Sequence, residues 1–327
     1  MEVRKSSLIK TIAAIRIYKF KAADDSDNTG RRLSLTICVR YSYLHNMALN
    51  TAGIWLMATL LGLMALLPRK AEAGMTPIEL KAFEYYRAKA EKGDAVAQAH
   101  LGACYGTGQG TAKNEVEAAN WYLRSAEQGE PSAQANLGIC YYLGQGVAKN
   151  AIEAVKWYRK AAGKGNAIAQ YNLGVCYYEG QGVAKNNIEA VNFFRMAAEQ
   201  GDANAQYNLG VCYDKGEGVA KNDVESLKWH RKAAEQGYAK AQLQVGTAYA
   251  TGAVVPKDAI EAYAYWTLAS ITNEDGRKII AIMEKGFPPD ALLRGKQRAR
   301  ELQKEIDVKA KKLADETTAS ESAIRLK

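Results

Sequence analysis

Residues 166–201 read NAIAQYNLGVCYYEGQGVAKNNIEAVNFFRMAAEQG, and the chain says the same thing five times. The string recurs, respelled, at 94–129, 130–165 and 202–237, and more loosely at 238–273. Four of the five cysteines (Cys104, Cys140, Cys176 and Cys212) fall 36 residues apart. Self-similarity at that period marks a stacked array of small units, which grows by adding copies and not by enlarging one core.

Each unit divides into two helices. In its first half Ala169, Leu173, Cys176 and Tyr177 recur at three- and four-residue steps, the spacing of one helix face. Asp94, Asn166 and Asp202 follow a glycine, where an N-cap is wanted, and Pro131 suits a first helical position after Glu130. A glycine stands mid-helix in every unit (Gly102, Gly138, Gly174, Gly210, Gly246), which predicts a close helix–helix approach with no room for a methyl. Gly180 and Gly182 end the helix by taking left-handed backbone geometry. A phosphate-loop reading of Gly-x-Gly fails, because no strand precedes it and no third glycine is in register. The second helix opens on a capping box, Asn150 with Glu153, repeated as Asn114/Glu117, Asn186/Glu189, Asn222/Glu225 and Asp258/Glu261. Trp121, Trp157, Phe193, Trp229 and Tyr265 share one position and are expected in the core, with His230 a packing variant of Tyr158. One unit cannot bury its apolar face alone. The expected fold is all-α, a right-handed curved α-solenoid of 36-residue helix-turn-helix repeats with capping helices.

The pattern Ala-Gln-x-x-Leu-Gly-x-x-Tyr-x-x-Gly-x-Gly-Val, then Glu-Ala-x-x-Trp-Tyr-x-x-Ala-Ala-x-x-Gly, resembles the Sel-1-like repeat family, relatives of the tetratricopeptide repeats. The resemblance runs over residues 77–273. Repeat 1 (94–129) has Thr111 for the usual Val, and repeats 2 to 4 (130–165, 166–201, 202–237) match almost throughout. Repeat 5 (238–273) diverges through Ala248, Val254 and Pro256, as a terminal unit does. Residues 74–93 match a second helix only and are expected to cap the stack as a half-repeat.

The resemblance implies a scaffold that holds protein or peptide partners on the concave side lined by first helices, often in exported or membrane-associated assemblies of bacteria. With Leu173, Gly174 and Tyr177 facing inward, Ile168, Tyr171, Val175, Tyr178 and Glu179 face the partner. Their counterparts are Ala135, Ile139, Tyr142 and Leu143 in repeat 2, and Asn204, Tyr207, Val211, Asp214 and Lys215 in repeat 4. Tyrosines among scattered charges suit a peptide groove. Some secreted, cysteine-rich members of the family are β-lactamase-like, with paired cysteines stapling each repeat. This chain carries one cysteine per repeat, at a different place, so that property does not transfer. An enzyme of that type and a structural spacer are the competing readings.

Charge narrows the partner. The formal net charge is +9, yet the repeats carry 16 Lys/Arg against 17 Asp/Glu. No basic stripe runs along the array, which argues against nucleic acid. With three histidines and no short Cys-x-x-Cys, metal binding has no donor set, and no cofactor is expected. The cysteine ladder stands too far apart to cross-link, since stacked helices lie ~8–10 Å apart. No nucleophile has a plausible base, so no catalytic residue is assigned.

The flanks are read separately. Residues 1–46 are basic and match no periodic template, so they are unassigned: disordered, or not part of the native product. The span 47–73 contains a 16-residue apolar run at 52–67 and ends in Ala71-Glu72-Ala73 before Gly74. That is a signal peptide cleaved after Ala73, or an uncleaved signal anchor with Arg31, Arg32 and Arg40 inside. Met47 and Met1 are alternative starts. Either way the product is exported, periplasmic or anchored in the cytoplasmic membrane through 52–67, its only membrane contact. Residues 274–316 are expected to be capping helices, with Asp290 opening the second and Ala299, Leu302, Ile306 and Leu313 on its apolar stripe. Residues 317–327 are expected to be a disordered tail.

Overall fold

The computed structural model describes residues 75–325, and every element in that range is a helix. The expectations placed on 1–46 and on the apolar leader at 47–73 lie outside the described residues. Among the described residues, no helix is long and apolar enough to cross a membrane.

A lone second helix, α1 (Pro77–Ala90), comes first. Five pairs follow: α2 (Ala95–Thr107) and α3 (Glu115–Glu127), α4 (Pro131–Leu143) and α5 (Ala151–Gly163), α6 (Ala167–Glu179) and α7 (Asn187–Glu199), α8 (Ala203–Lys215) and α9 (Asp223–Ala234), α10 (Ala239–Thr251) and α11 (Ala259–Ser270). Then come α12 (Glu274–Gly286) and α13 (Pro289–Arg325). From α1 to α12 each helix packs on its neighbours in sequence, the first helix of a pair most extensively on the second. The result is an α-solenoid.

The caps form as the sequence indicates. Asp94, Asn166 and Asp202 accept from backbone N–H groups three residues on. Asn150 accepts from Ile152 and Glu153, and its counterparts behave alike. The glutamates do not complete the boxes. Among the described residues the reciprocal bond exists only at Thr76/Glu79. Glu153, Glu225 and Glu261 instead reach Lys156, Lys228 and Arg298, because a nearby cation is a stronger partner than a backbone N–H.

The core aromatic is displaced by one residue from the expectation. Trp157 is half-buried under the ammonium of Lys160, 3.9 Å from its ring centroid, whereas Tyr158 is 1% exposed. The buried row is Tyr122, Tyr158, Phe194, His230 and Trp266. These rings meet the mid-helix glycines: a Cβ on Gly174 would stand 2.7 Å from the Phe194 ring. Where two aromatics are adjacent, a 100° step around the helix decides which one enters the core, and the glycine of the facing helix makes room for the second. Trp229 is buried as well, so in that unit both positions are inside.

Glutamine, the second residue of the motif, has a structural role too. Gln98, Gln134, Gln170, Gln206 and Gln242 are buried, each donating to a carbonyl in the last turn of the previous helix. Three of their amide oxygens accept from a glutamine 30 residues on. Each of these backbone carbonyls also accepts from the N–H of the glycine three residues on, so the glutamine adds a second bond that ties the helix end to the next helix inside the stack.

At the carboxy-terminal end α13 lies over α11. Ala299 and Leu302 are buried with Ala264 and Leu268, and Ile306 packs against them. Arg298 bonds Glu261 at 2.7 Å, and Lys309 reaches Glu235. Asp290 lies in the first turn of α13, behind Pro289, and does not cap it; proline's fixed φ suits that opening position. The helix continues to Arg325, through most of the stretch expected to be a disordered tail.

Candidate ligand-binding face

The first helices α2, α4, α6, α8 and α10 stand in a row, and clefts open between α2 and α4, between α6 and α8, and between α8 and α10. The three have a volume of about 200 Å³ each. Between α6 and α8 the cleft is lined by Tyr171, Val175, Tyr178 and Glu179 with Phe194, Asn208, Val211 and Cys212. Five residues picked from the sequence, Val211 among them, therefore meet in one place. Tyr142 joins its edge by donating to Glu179 at 3.3 Å. Tyr178 donates to Glu217, which pushes its own pKa up to about 12 together with burial. The phenols are held in position by these bonds across repeats, and so is the shape of the cleft.

Other expected residues lie elsewhere. Ile168 and Asn204 are exposed in the first turns of α6 and α8, apart from the clefts. Tyr207 is turned inward, with its ring 5.1 Å from Tyr238 and 5.3 Å from His230. Asp214 lines the next cleft, between α8 and α10, while Lys215 is exposed beside it. Ala135 is 1% exposed, so it belongs to the core and not to the partner-facing side.

Sequence reasoning missed a row of amides. Asn136, Asn208 and Gln244 each line a cleft, and Asn172 shares their position. The signal was there, since His100 stands where the other units have Asn or Gln. His100 itself is exposed and stacks on Tyr86, centroids 4.5 Å apart.

The four cysteines among the described residues, Cys104, Cys140, Cys176 and Cys212, are free and buried. Burial pushes the thiols of Cys140, Cys176 and Cys212 up to about 11, so they stay protonated and unreactive. Burial also pulls His230 down to about 4. A wider, open recess of about 600 Å³ lies where the loop at Gly216 and Gly218 crosses the start of α7. Among the described residues no group of three or more His, Cys, Asp or Glu side chains could hold a metal ion.

An array of helix pairs whose inner row carries ready clefts is the architecture of an interaction scaffold. The Sel1 repeat model matches residues 77–94, 95–130, 131–166, 167–202, 203–238 and 239–270. The chain belongs to the Sel1 repeat family. A Sel1 repeat protein from Oxalobacter formigenes is 33% identical over 70% of this chain and 96% of its own, with a TM-score of 0.58. A protective antigen of uropathogenic Escherichia coli with the same repeat fold is 31% identical over 71% of this chain, with a TM-score of 0.50. This chain spans 58% of that antigen's length. No curated protein matches it.

Proposed function

We propose that the protein is a non-catalytic scaffold that binds a polypeptide segment of a partner along its first-helix row. The observation that carries this reading is the series of clefts between consecutive first helices. Each offers a half-buried apolar floor, an amide from the Asn/Gln row and room for about one side chain. Side-chain amides carry one donor group and one acceptor, matching what an extended backbone presents. Inert thiols and a lone buried imidazole support a role without chemistry.

The test is co-purification after crosslinking in native membranes and extracts. A full-length Tyr142→Ser, Tyr178→Ser, Asn208→Ala variant serves as control, with its helicity checked by circular dichroism. Partners retained with unaltered yield by the variant would sink the reading and favour a spacer.

We also propose export, with residues 52–67 as the leader or tether. Support comes from the small-residue site ending at Ala73 and from an array whose repeats carry almost no net charge. Amino-terminal sequencing of the mature product decides between the two forms. A start at Gly74 means cleavage, and an intact apolar segment in the membrane fraction means anchoring. A soluble cytoplasmic product with that segment intact removes the proposal.

A further inference from the structure

The clefts are not equivalent. Five positions recur in each: one near the end of the first helix, one on the second helix of the same unit, and three on the next first helix. Between α6 and α8 they are Tyr178, Phe194, Asn208, Val211 and Cys212. Between α2 and α4 they are Gly106, Tyr122, Asn136, Ile139 and Cys140. Between α8 and α10 they are Asp214, His230, Gln244, Thr247 and Ala248. So an aromatic has become a carboxylate, a second aromatic an imidazole, and an aliphatic a hydroxyl. Ser226, Thr251, Lys221 and Asp223 complete this lining.

The polar groups are poorly matched to one another. Asp214 pairs with no cation among the described residues. Asp223 has Lys221 at 3.5 Å, with both side chains more than half exposed. His230 is 4% exposed, and its Nδ1 has no hydrogen-bond partner. Burial keeps that ring neutral, so the cleft holds two carboxylates against one ammonium. Most of the surplus capacity is for accepting hydrogen bonds.

We propose that the α8–α10 cleft takes an arginine or lysine side chain of the bound polypeptide and so sets its sequence preference. This rests on the reading of the first-helix row as the peptide-binding face. Guanidinium and ammonium groups are donors only, which is the complement of this lining. A guanidinium spans two acceptors at once, so arginine is the better fit. An apolar side chain would cover Asp214 and leave it unpaired, which desolvation penalises. The α6–α8 cleft, with Tyr171, Val175, Tyr178 and Phe194, takes an apolar side chain by the same logic. Neighbouring clefts are about 8–10 Å apart, and a chain in the polyproline II conformation advances about 3.1 Å per residue and brings every third side chain to the same face. The preferred segment therefore has an apolar residue and a basic residue about three positions apart.

The experiment pans a random linear peptide library, displayed on phage, against the immobilised full-length chain. Selected peptides are then titrated against wild type and against Asp214→Tyr, His230→Phe, Thr247→Val. Each of these replacements is the residue, or the aromatic or aliphatic type, of a neighbouring cleft, so the fold accommodates them. Wild type is expected to enrich an apolar residue and an Arg or Lys at this spacing. The variant should bind those peptides ~10-fold or more weakly and prefer versions with leucine at the basic position. Enriched peptides with no basic residue overturn this inference and leave the binding face standing. If no peptide is enriched, the reading of the face falls, and this inference with it.

Discussion

At the scale of single residues the repeats act as internal controls, because each unit displays what its neighbours do with the same position. Gln98, Gln170 and Gln206 have their amide oxygens satisfied by Gln128, Gln200 and Gln236. Repeat 2 has Lys164 in that place instead, which donates to the Gly129 carbonyl, and the buried Oε1 of Gln134 is left without a partner. Lys164→Gln is therefore expected to raise stability by ~1 kcal/mol, read as a shifted urea midpoint at unchanged slope. The aromatic pair gives a contrast. Tyr158→Ala empties a fully buried site and should cost ~3–5 kcal/mol, whereas Trp157→Ala loses a half-buried ring and one cation contact and should cost well under half of that. Equal losses would mean that the row assignment is wrong. His230 adds a pH dependence. Its folded pKa of about 4 lies below the ordinary value of 6.5, so the unfolded chain binds more protons between those limits. Stability should then rise with pH across that window and be complete above it. His230→Phe should remove that slope, measured by denaturation at about pH 5 and about pH 7.

At the scale of elements the loops lock the stack. The second glycine of the first four loops sits against the start of the preceding second helix: Gly110 on Glu79, Gly146 on Glu115, Gly182 on Ala151 and Gly218 on Asn187. Gly182 has φ +70, and a Cβ there would overlap the Ala151 carbonyl. Gly165 has φ +83 but meets nothing within 4 Å. Gly165→Ala should thus cost only the left-handed backbone strain, ~1 kcal/mol, while Gly182→Ala adds a backbone clash between repeats and should cost several times as much in thermal melts. This pair also marks how far the sequence reads. Helix starts, helix ends and the close approach at Gly174 were legible, because caps and glycines act within a few residues. The choice of Tyr158 over Trp157, the inward turn of Tyr207 and the loop contact of Gly182 were not. Each depends on how one helix is rotated against an element some 30 residues away, and helical periodicity leaves that rotation open by about one residue. The cleft at Tyr171, Val175, Tyr178 and Glu179 was found because the resemblance supplied the facing side. Its amide row was missed because a recurrent polar residue looks like a solvated position until the neighbouring helix is in place.

At the scale of the whole described array, contacts run almost entirely between neighbours in sequence, with α13 reaching back past α12 onto α11, so stability should be local and its ends decisive. The amino-terminal end is closed by α1, whose Phe83 and Ala90 are buried with Ala97, Leu101 and Cys104. The other end depends on α13, which covers Ala264 and Leu268 with Ala299 and Leu302 and holds Glu261 through Arg298. Gly295 permits this approach, since a Cβ there would stand 2.5 Å from the Tyr263 ring. Leu302 is 6% exposed, and Leu302→Ala should cost ~2–3 kcal/mol at that site. If the array behaves as a chain of nearest-neighbour units, the loss will not be shared evenly. Amide hydrogen exchange should accelerate in α11 and α13 first, then in α10, while α4 to α7 keep their protection. A uniform loss of protection from α2 to α13 would mean that the repeats unfold as one cooperative body. The clefts between first helices could not then open or close independently. Local exchange confined to the carboxy-terminal end would place the polar α8–α10 cleft next to the least stable part of the stack, where a bound segment would have most to order.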